Sequence, residues 1–242
     1  MMRRIKEGFF MEVIDPIPVK FDVGELLRSQ RVGRLKEKEV APLIEKCYQL
    51  IEPKAVYTFV NVTSIEKDEV HLKSGHVVKS IILADMLEND QTIVPYVVTI
   101  GLRLEKQASS EAKSSLLRAW ALERMGDYAL GKAAAYVRCR VEEKMGSPVS
   151  SFGPGTGTGK LFGIEQQEIL FQILDPPKSI GVCLTPSYLM VPRKSVSGTF
   201  AVTRREYVAC QYCPRERCEG RRRPYSGEYY ACLLYTSDAA DE

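Results

Sequence analysis

The sequence predicts one α+β domain: a mostly antiparallel sheet packed with one long helix and several shorter helices. Three observations predict it. Short β-prone segments recur, one pair joined by a Ser74-Gly75 hairpin turn, and Thr92 to Ile100 is apolar on both faces, as a central strand is. A proline-free helical pattern runs from about Ser109 to Met145, and Gly146 with Pro148 stops it. No linker, low-complexity break or internal repeat appears before Arg221. The domain is therefore expected over 1–205, followed by a Cys/Arg-rich tail over 206–231.

In chain order, Phe9 to Ile14 is an apolar strand ended by Asp15-Pro16 and Pro18. Asp22 caps a short helix over Val23 to Arg28. Glu37 to Ile51 carries Val40, Leu43, Ile44, Cys47, Leu50 and Ile51 at helical spacing, and Pro53 stops it. Ala55 to Val62, Glu69 to Leu72 and His76 to Val78 are strands. Ser80 caps a helix reaching Leu87. In the long helix Leu116, Trp120, Glu123, Asp127, Leu130, Ala134 and Val137 form one stripe, expected to face inward. Glu123 and Asp127 interrupt it. They are either its solvated edge or a carboxylate pair that meets a ligand cation. Ile164 to Leu174 is a further amphipathic helix, ended by Asp175-Pro176-Pro177. Strands follow around Ile180 to Leu184, Tyr188 to Val191 and Val196 to Val202. The last two are expected to pair through a turn at Pro192, Arg193 and Lys194.

The chain has 242 residues, 45% hydrophobic and 27% charged, the profile of a globular protein able to bury a core. Its longest apolar run, around Ile93 to Leu102, is about half of what a membrane span needs. The basic start, Met1 to Gly8, is not followed by a long apolar stretch, so no signal peptide is expected and the cytoplasm is the expected compartment. The last eleven residues, from Cys232 on, resemble a translated sequencing-library adapter, so 232–242 are expected to be no part of the fold. Without Asp238, Asp241 and Glu242 the net charge rises by three from +3. Arg215, Arg217, Arg221, Arg222 and Arg223 concentrate that excess. Such a cluster points to an acidic partner surface. Nucleic acid is disfavoured, because no aromatics are interleaved and no binding motif is present.

Two stretches carry candidate chemistry. Gly153 to Gly159 has glycine at every second position, so the backbone can take positive φ and approach a ligand. Gly153, Pro154, Gly155, Thr156 and Gly157 are the candidate ligand loop, with the following strand pair as its floor. The loop is not a P-loop: Pro154 stands where a glycine is needed, Leu161 stands where Ser or Thr is needed, and a helix precedes it in place of a strand. A dinucleotide fingerprint fails on the same context. His71 and His76 are expected to be exposed, and no nucleophile–base set can be assembled. Cys47, Cys139 and Cys183 are expected to be packed thiols. Cys210, Cys213 and Cys218 have the spacing C-x2-C-x4-C with basic neighbours. They are candidates for an iron–sulfur cluster or zinc, for redox thiols, or for free thiols on a surface loop.

Gly181, Leu184, Thr185, Ser187, Met190, Pro192, Ser195, Val196, Ser197 and Gly198 fall without a gap on a pattern that resembles the activation domain of cobalamin-dependent methionine synthase. Pro154-Gly155 resembles that family's Arg-x-x-Pro-Gly-Tyr loop, and Val98 to Gly101 with the long helix resembles its preceding strand and helix. The resemblance covers roughly Asp15 to Thr203, and the short chain is similar to stand-alone forms of the domain. It implies the activation-domain fold, S-adenosylmethionine as ligand, and a partner that carries cobalamin, either a cobalamin-dependent methionine synthase or another corrinoid protein. It also implies flavodoxin or ferredoxin as electron donor, and reductive remethylation of cob(II)alamin as the task. By the same resemblance Asp127 would face the ligand ammonium, and Tyr207 lies close to a family tyrosine. The sequence departs from the pattern where Ser151 replaces the loop arginine and Thr156 the tyrosine. Arg193 or Lys194 would then pair with the ligand carboxylate. An iron–sulfur centre in the cysteine cluster would deliver the electron itself. The alternative is a corrinoid-docking partner that binds no S-adenosylmethionine.

Overall fold

The computed structural model describes residues 2–4, 10–29, 37–156, 159–218 and 221–227. In chain order the elements are β1 Met2–Arg4, β2 Phe10–Ile14, α1 Val23–Ser29, α2 Glu37–Leu50, β3 Lys54–Thr58, β4 Val60–Glu66, β5 Glu69–Leu72 and β6 Val77–Lys79. Then come α3 Ile81–Met86, β7 Thr92–Thr99, α4 Arg103–Glu111, α5 Leu116–Met145 and β8 Ser150–Phe152. The chain continues with α6 Gln167–Leu174, α7 Pro176–Ser179, β9 Cys183–Leu184, β10 Met190–Val191 and β11 Ser195–Ala201. This is the α+β arrangement expected.

Strand β7 is the axis of the sheet, and all its residues but Thr92 are buried. It runs antiparallel to β11 on one side and to β3 and β4 on the other. β3 and β4 keep a single register along β7, from Lys54↔Thr99 to Val60↔Ile93, so they are two halves of one strand. β3 ends at Thr58, which that register sets opposite Pro95, a residue with no N–H to donate. β2 and β1 extend the sheet beyond β3, β5 and β6 beyond β4, and β8 beyond β11.

Alternation along the strands sorts the core into two faces. Ala55, Tyr57, Val94, Tyr96, Val98 and Phe200 pack with Ala133, Val137 and Val141 of α5. Val56, Ile93, Val97 and Ala201 face Ile82, Leu83 and Met86 of α3, Leu174 of α6, and Phe152. A third cluster joins α2, α4 and the first half of α5 through Leu43, Cys47, Leu104, Leu122 and Met125. The local signals act as expected at several boundaries. Asp22 accepts the Glu25 N–H at 2.7 Å, Ser80 accepts the Leu83 N–H at 3.2 Å, and Gly146 ends α5 with φ +66°.

Three expectations are corrected. The long helical pattern is broken: α4 ends at Glu111, and α5 starts after Ser115, whose hydroxyl accepts the Arg118 N–H. Ser114 and Ser115 offer the backbone local side-chain bonds that compete with helix continuation. The inward stripe is also different. Leu116 is 76% exposed and Trp120 is 36% exposed, while Leu122, Met125, Ala129, Ala133, Val137 and Val141 face the core. The first half of α5 faces α2 and α4, and its second half faces the sheet through Ala133, Val137 and Val141. Finally, the two strands around Pro192 do not pair with each other. β10 pairs with β9, and β11 enters the main sheet between β7 and β8. Of the scattered cysteines only Cys47 is buried; Cys139 and Cys183 are exposed.

Candidate functional site

A cleft of about 440 Å³ opens where the glycine loop, β11 and the Tyr188–Arg193 turn meet. Its floor is Tyr96 of β7 with Ser195, Val196 and Ser197. Ser151, Gly153, Pro154 and Thr156 form one wall; Tyr188, Leu189, Met190 and Arg193 form the other. Gln167 comes from the start of α6 and Ile164 from the helical turn just before it, and Ala209 and Arg222 come from the C-terminal segment. Its size is that of a small-molecule site, and its lining is mostly apolar with a few convergent polar groups.

Two glycines make the loop wall. At Gly198 in β11, a Cβ would sit 2.5 Å from the Phe152 carbonyl oxygen and 2.9 Å from the Tyr96 hydroxyl oxygen. Only glycine lets β8 lie this close, and the approach brings the Tyr96 hydroxyl within 2.9 Å of Ser151 Oγ. Gly155 has φ +76°, and its N–H donates to the Phe162 carbonyl at 2.8 Å. The turn closes on itself, since the Thr156 hydroxyl donates to the Gly153 carbonyl at 2.6 Å.

The opposite wall is tied to the floor by one side chain. Gln167 is buried, donates to the Tyr188 carbonyl and accepts from the Ser197 hydroxyl, both at 2.8 Å. That bond helps hold Tyr188 at φ +59°, a conformation a tyrosine adopts at a cost.

The charges beside the cleft are arranged in a network. The Arg193 N–H donates to Glu105 at 3.0 Å, and its guanidinium pairs with Glu123 at 3.1 Å. Lys194, 12% exposed, lies 2.7 Å from Glu123 and 2.5 Å from Asp127. Asp127 also meets Arg124 at 3.3 Å. Burial raises the Glu123 carboxyl, but the bonds and charges of Lys194 and Arg193 outweigh it and hold it below its ordinary range. This network anchors the Arg193 turn onto α5.

The sequence-predicted residues separate accordingly. Gly153, Pro154, Thr156 and Arg193 line the cleft. Gly155 shapes the loop without lining it. Tyr207 lies behind it, stacked on Phe152 at 4.3 Å and adjoining Tyr212 at 5.3 Å. Burial pushes its hydroxyl up to about 12. Asp127 faces Lys194 rather than the cleft, and Gly157 lies outside the described residues. Cys210 and Cys213 are half-buried and Cys218 is exposed. Among the described residues no group of three His, Cys, Asp or Glu side chains is gathered to hold a metal. The backbone N–H of Arg222 donates to Cys210 Sγ at 3.4 Å, and that bond, against burial, lowers the thiol pKa. Sequence reasoning missed Tyr96, Gln167, Tyr188 and Arg222. Arg222 was visible only as one of five clustered arginines, and Gln167 as one polar residue on an amphipathic helix.

No helix among the described residues is long and apolar enough to cross a membrane. No curated protein sequence matches this chain. Residues 153–223 match the family model described as vitamin B12 dependent methionine synthase, activation domain. A solved structure described as the MetH reactivation domain bound to AdoHcy is 14% identical, with a TM-score of 0.60 over 82% of this chain and 80% of that one. Residues 153–223, from the glycine loop through the arginine cluster, thus resemble the methionine synthase activation domain in sequence, and over most of its length the chain shares the fold of the MetH reactivation domain.

Proposed function

We propose that this chain is a stand-alone reactivation subunit that holds S-adenosylmethionine in the cleft and presents it to the cobalt of a corrinoid partner. That partner is a cobalamin-dependent methionine synthase or a related corrinoid methyltransferase, and flavodoxin or ferredoxin supplies the electron. The observation that carries the reading is the cleft itself, bounded by the glycine loop and the Pro192 turn, within the segment that matches the family model. AdoHcy is the demethylated form of the same ligand, and a relative of the same fold carries it.

When bound, S-adenosylmethionine supplies an electrophilic methyl group. The chain's own part is to bind, orient and exclude water. The half-buried ring of Tyr188 offers a face for an adenine or a sulfonium. Ser151, Ser197 and Gln167 offer polar contacts at the floor and wall. The rigid β8–β11 contact through Gly198 fixes the loop wall, and the Glu123–Lys194–Asp127 network fixes the other.

One observation favours a second reading, a corrinoid-docking partner that holds no S-adenosylmethionine. Asp127, expected to meet the ligand ammonium, is engaged by Lys194, and no carboxylate lines the cleft among the described residues. Isothermal titration separates the two. Saturable heat with S-adenosylmethionine and competition by AdoHcy support the first. Absence of binding, together with complex formation with a corrinoid protein, establishes the second.

A further inference from the structure

Two guanidinium groups line the cleft, and they are not equivalent. Arg193 is committed: Glu105 accepts its backbone N–H, and Glu123 holds its side chain. No carboxylate among the described residues pairs with Arg222. Its backbone N–H and its guanidinium both reach the Cys210 thiol, whose pKa they lower. A cationic side chain that no carboxylate neutralises, at the wall of a small-molecule cleft, is a site for an anionic group.

The segment carrying Arg222 is built into the domain. Tyr207 and Tyr212 are buried and continue the stack on Phe152. The Arg221 guanidinium donates to the carbonyls of Cys210 at 3.0 Å and Cys213 at 3.2 Å, and also to that of Arg215. The Ser226 N–H donates to the Gln211 carbonyl at 2.8 Å. Arg221 therefore clasps the cysteine turn, and the next residue is presented at the cleft. The arginines of this cluster divide the work: Arg221 faces the chain's own carbonyls, while Arg222 faces the cleft that Ser151 also lines.

We infer that Arg222 is the carboxylate-binding residue of this cleft, gripping the anionic end of an amino-acid-bearing ligand that Ser151 on the loop wall cannot neutralise. The inference rests on the proposed S-adenosylmethionine reading, because the carboxylate is that ligand's one anionic group. It assigns to the C-terminal segment a specificity role, favouring ligands with a free α-carboxylate over those that end at the thioether.

The test is calorimetric titration of the full chain with two probes, AdoHcy and 5′-methylthioadenosine. The second keeps the adenosine and the thioether and lacks the amino-acid end. Wild type, Arg222→Gln and Arg222→Lys are compared, with thermal unfolding of each as the check on folding. Arg222→Gln is expected to weaken AdoHcy about 10- to 100-fold, as loss of a charge-assisted contact does. It should leave 5′-methylthioadenosine within about twofold, and Arg222→Lys should recover part of the loss. Unchanged AdoHcy affinity in Arg222→Gln, or equal weakening of both probes, overturns the inference while leaving the cleft reading intact. A wild-type chain that binds neither probe overturns the cleft reading, and this inference with it.

Discussion

Replacing Gly198 by alanine probes how the fold makes the cleft. The added Cβ would lie 2.5 Å from the Phe152 carbonyl oxygen, and Cβ atoms in proteins essentially never come under 3.0 Å. The obstacle is backbone, not the end of a mobile side chain, so β8 must retreat from β11 by about 0.5 Å or more. The Tyr96 hydroxyl, 2.9 Å from the same Cβ, blocks escape on the other side. Overpacking of this kind costs about 1–3 kcal/mol. Against it, alanine restricts the unfolded chain, a gain of about 0.4–1 kcal/mol. The net loss is roughly 1–2 kcal/mol, a fall in Tm of about 2–8 °C for a domain of this size. Because β8 carries Ser151 and leads directly into Gly153, the shift should weaken ligand binding as well. Thermal unfolding and AdoHcy titration of Gly198→Ala give both readouts. Gly131→Ala is the control: it lies within α5, nothing stands within 4 Å of its Cβ, and it should be stabilised by about 0.5–1 kcal/mol. A Gly198→Ala variant as stable as wild type, with unchanged affinity, would refute the reasoning.

The charged anchor of the Arg193 turn gives a second prediction. Lys194→Met leaves Glu123 and Asp127 without their shared cation. It should destabilise by about 1 kcal/mol, the low end of the range for a broken pair, since both carboxylates keep solvent contact. The sign with pH follows from Glu123, whose carboxyl is held below its ordinary value of 4.5 in the folded chain. Its contribution is fully present above that value and is lost as pH falls through the lowered one. Denaturant unfolding should therefore show the gap between wild type and Lys194→Met at neutral pH, narrowing below about pH 4.5. Ser80→Ala should cost about 1 kcal/mol or slightly more in the same assay. It removes the cap of α3 and a bond at 3.1 Å to the Leu161 carbonyl, beyond the glycine loop. Tyr207→Phe should keep the stack on Phe152 and lose only the hydroxyl bond to Thr156, so AdoHcy affinity should change less than in Gly198→Ala.

Element types were legible where a local chemical signal and the tertiary structure agree. The caps at Asp22 and Ser80, the stop at Gly146, the turn at Gly75 and the apolar run of β7 each carry their own cause. What was not legible depended on partners distant in sequence. The stripe on α5 was read from Leu116 and Trp120, yet the first half of α5 packs on α2 and α4 through Leu122, Met125 and Ala129, and the second half meets the sheet through Ala133, Val137 and Val141. β10 and β11 looked like a hairpin because they are adjacent, but β11 pairs along β7 and β8 while β10 pairs with β9. In the site, the glycine loop was legible from its spacing, and Arg193 only through the family resemblance. Asp127 was placed on the right flank of the helix, but a charge pattern does not reveal that Lys194 reaches it first. Arg222 could not be singled out from Arg221 and Arg223, because their different tasks arise from how the cysteine turn folds.

The most direct test of the account is hydrogen exchange across the chain with and without AdoHcy. The account predicts protection at Gly153 to Thr156, Tyr188 to Arg193 and Ser195 to Ser197, with the remote β5–β6 hairpin unchanged. Absence of any ligand-dependent protection, or protection confined to surfaces away from the glycine loop, would contradict it.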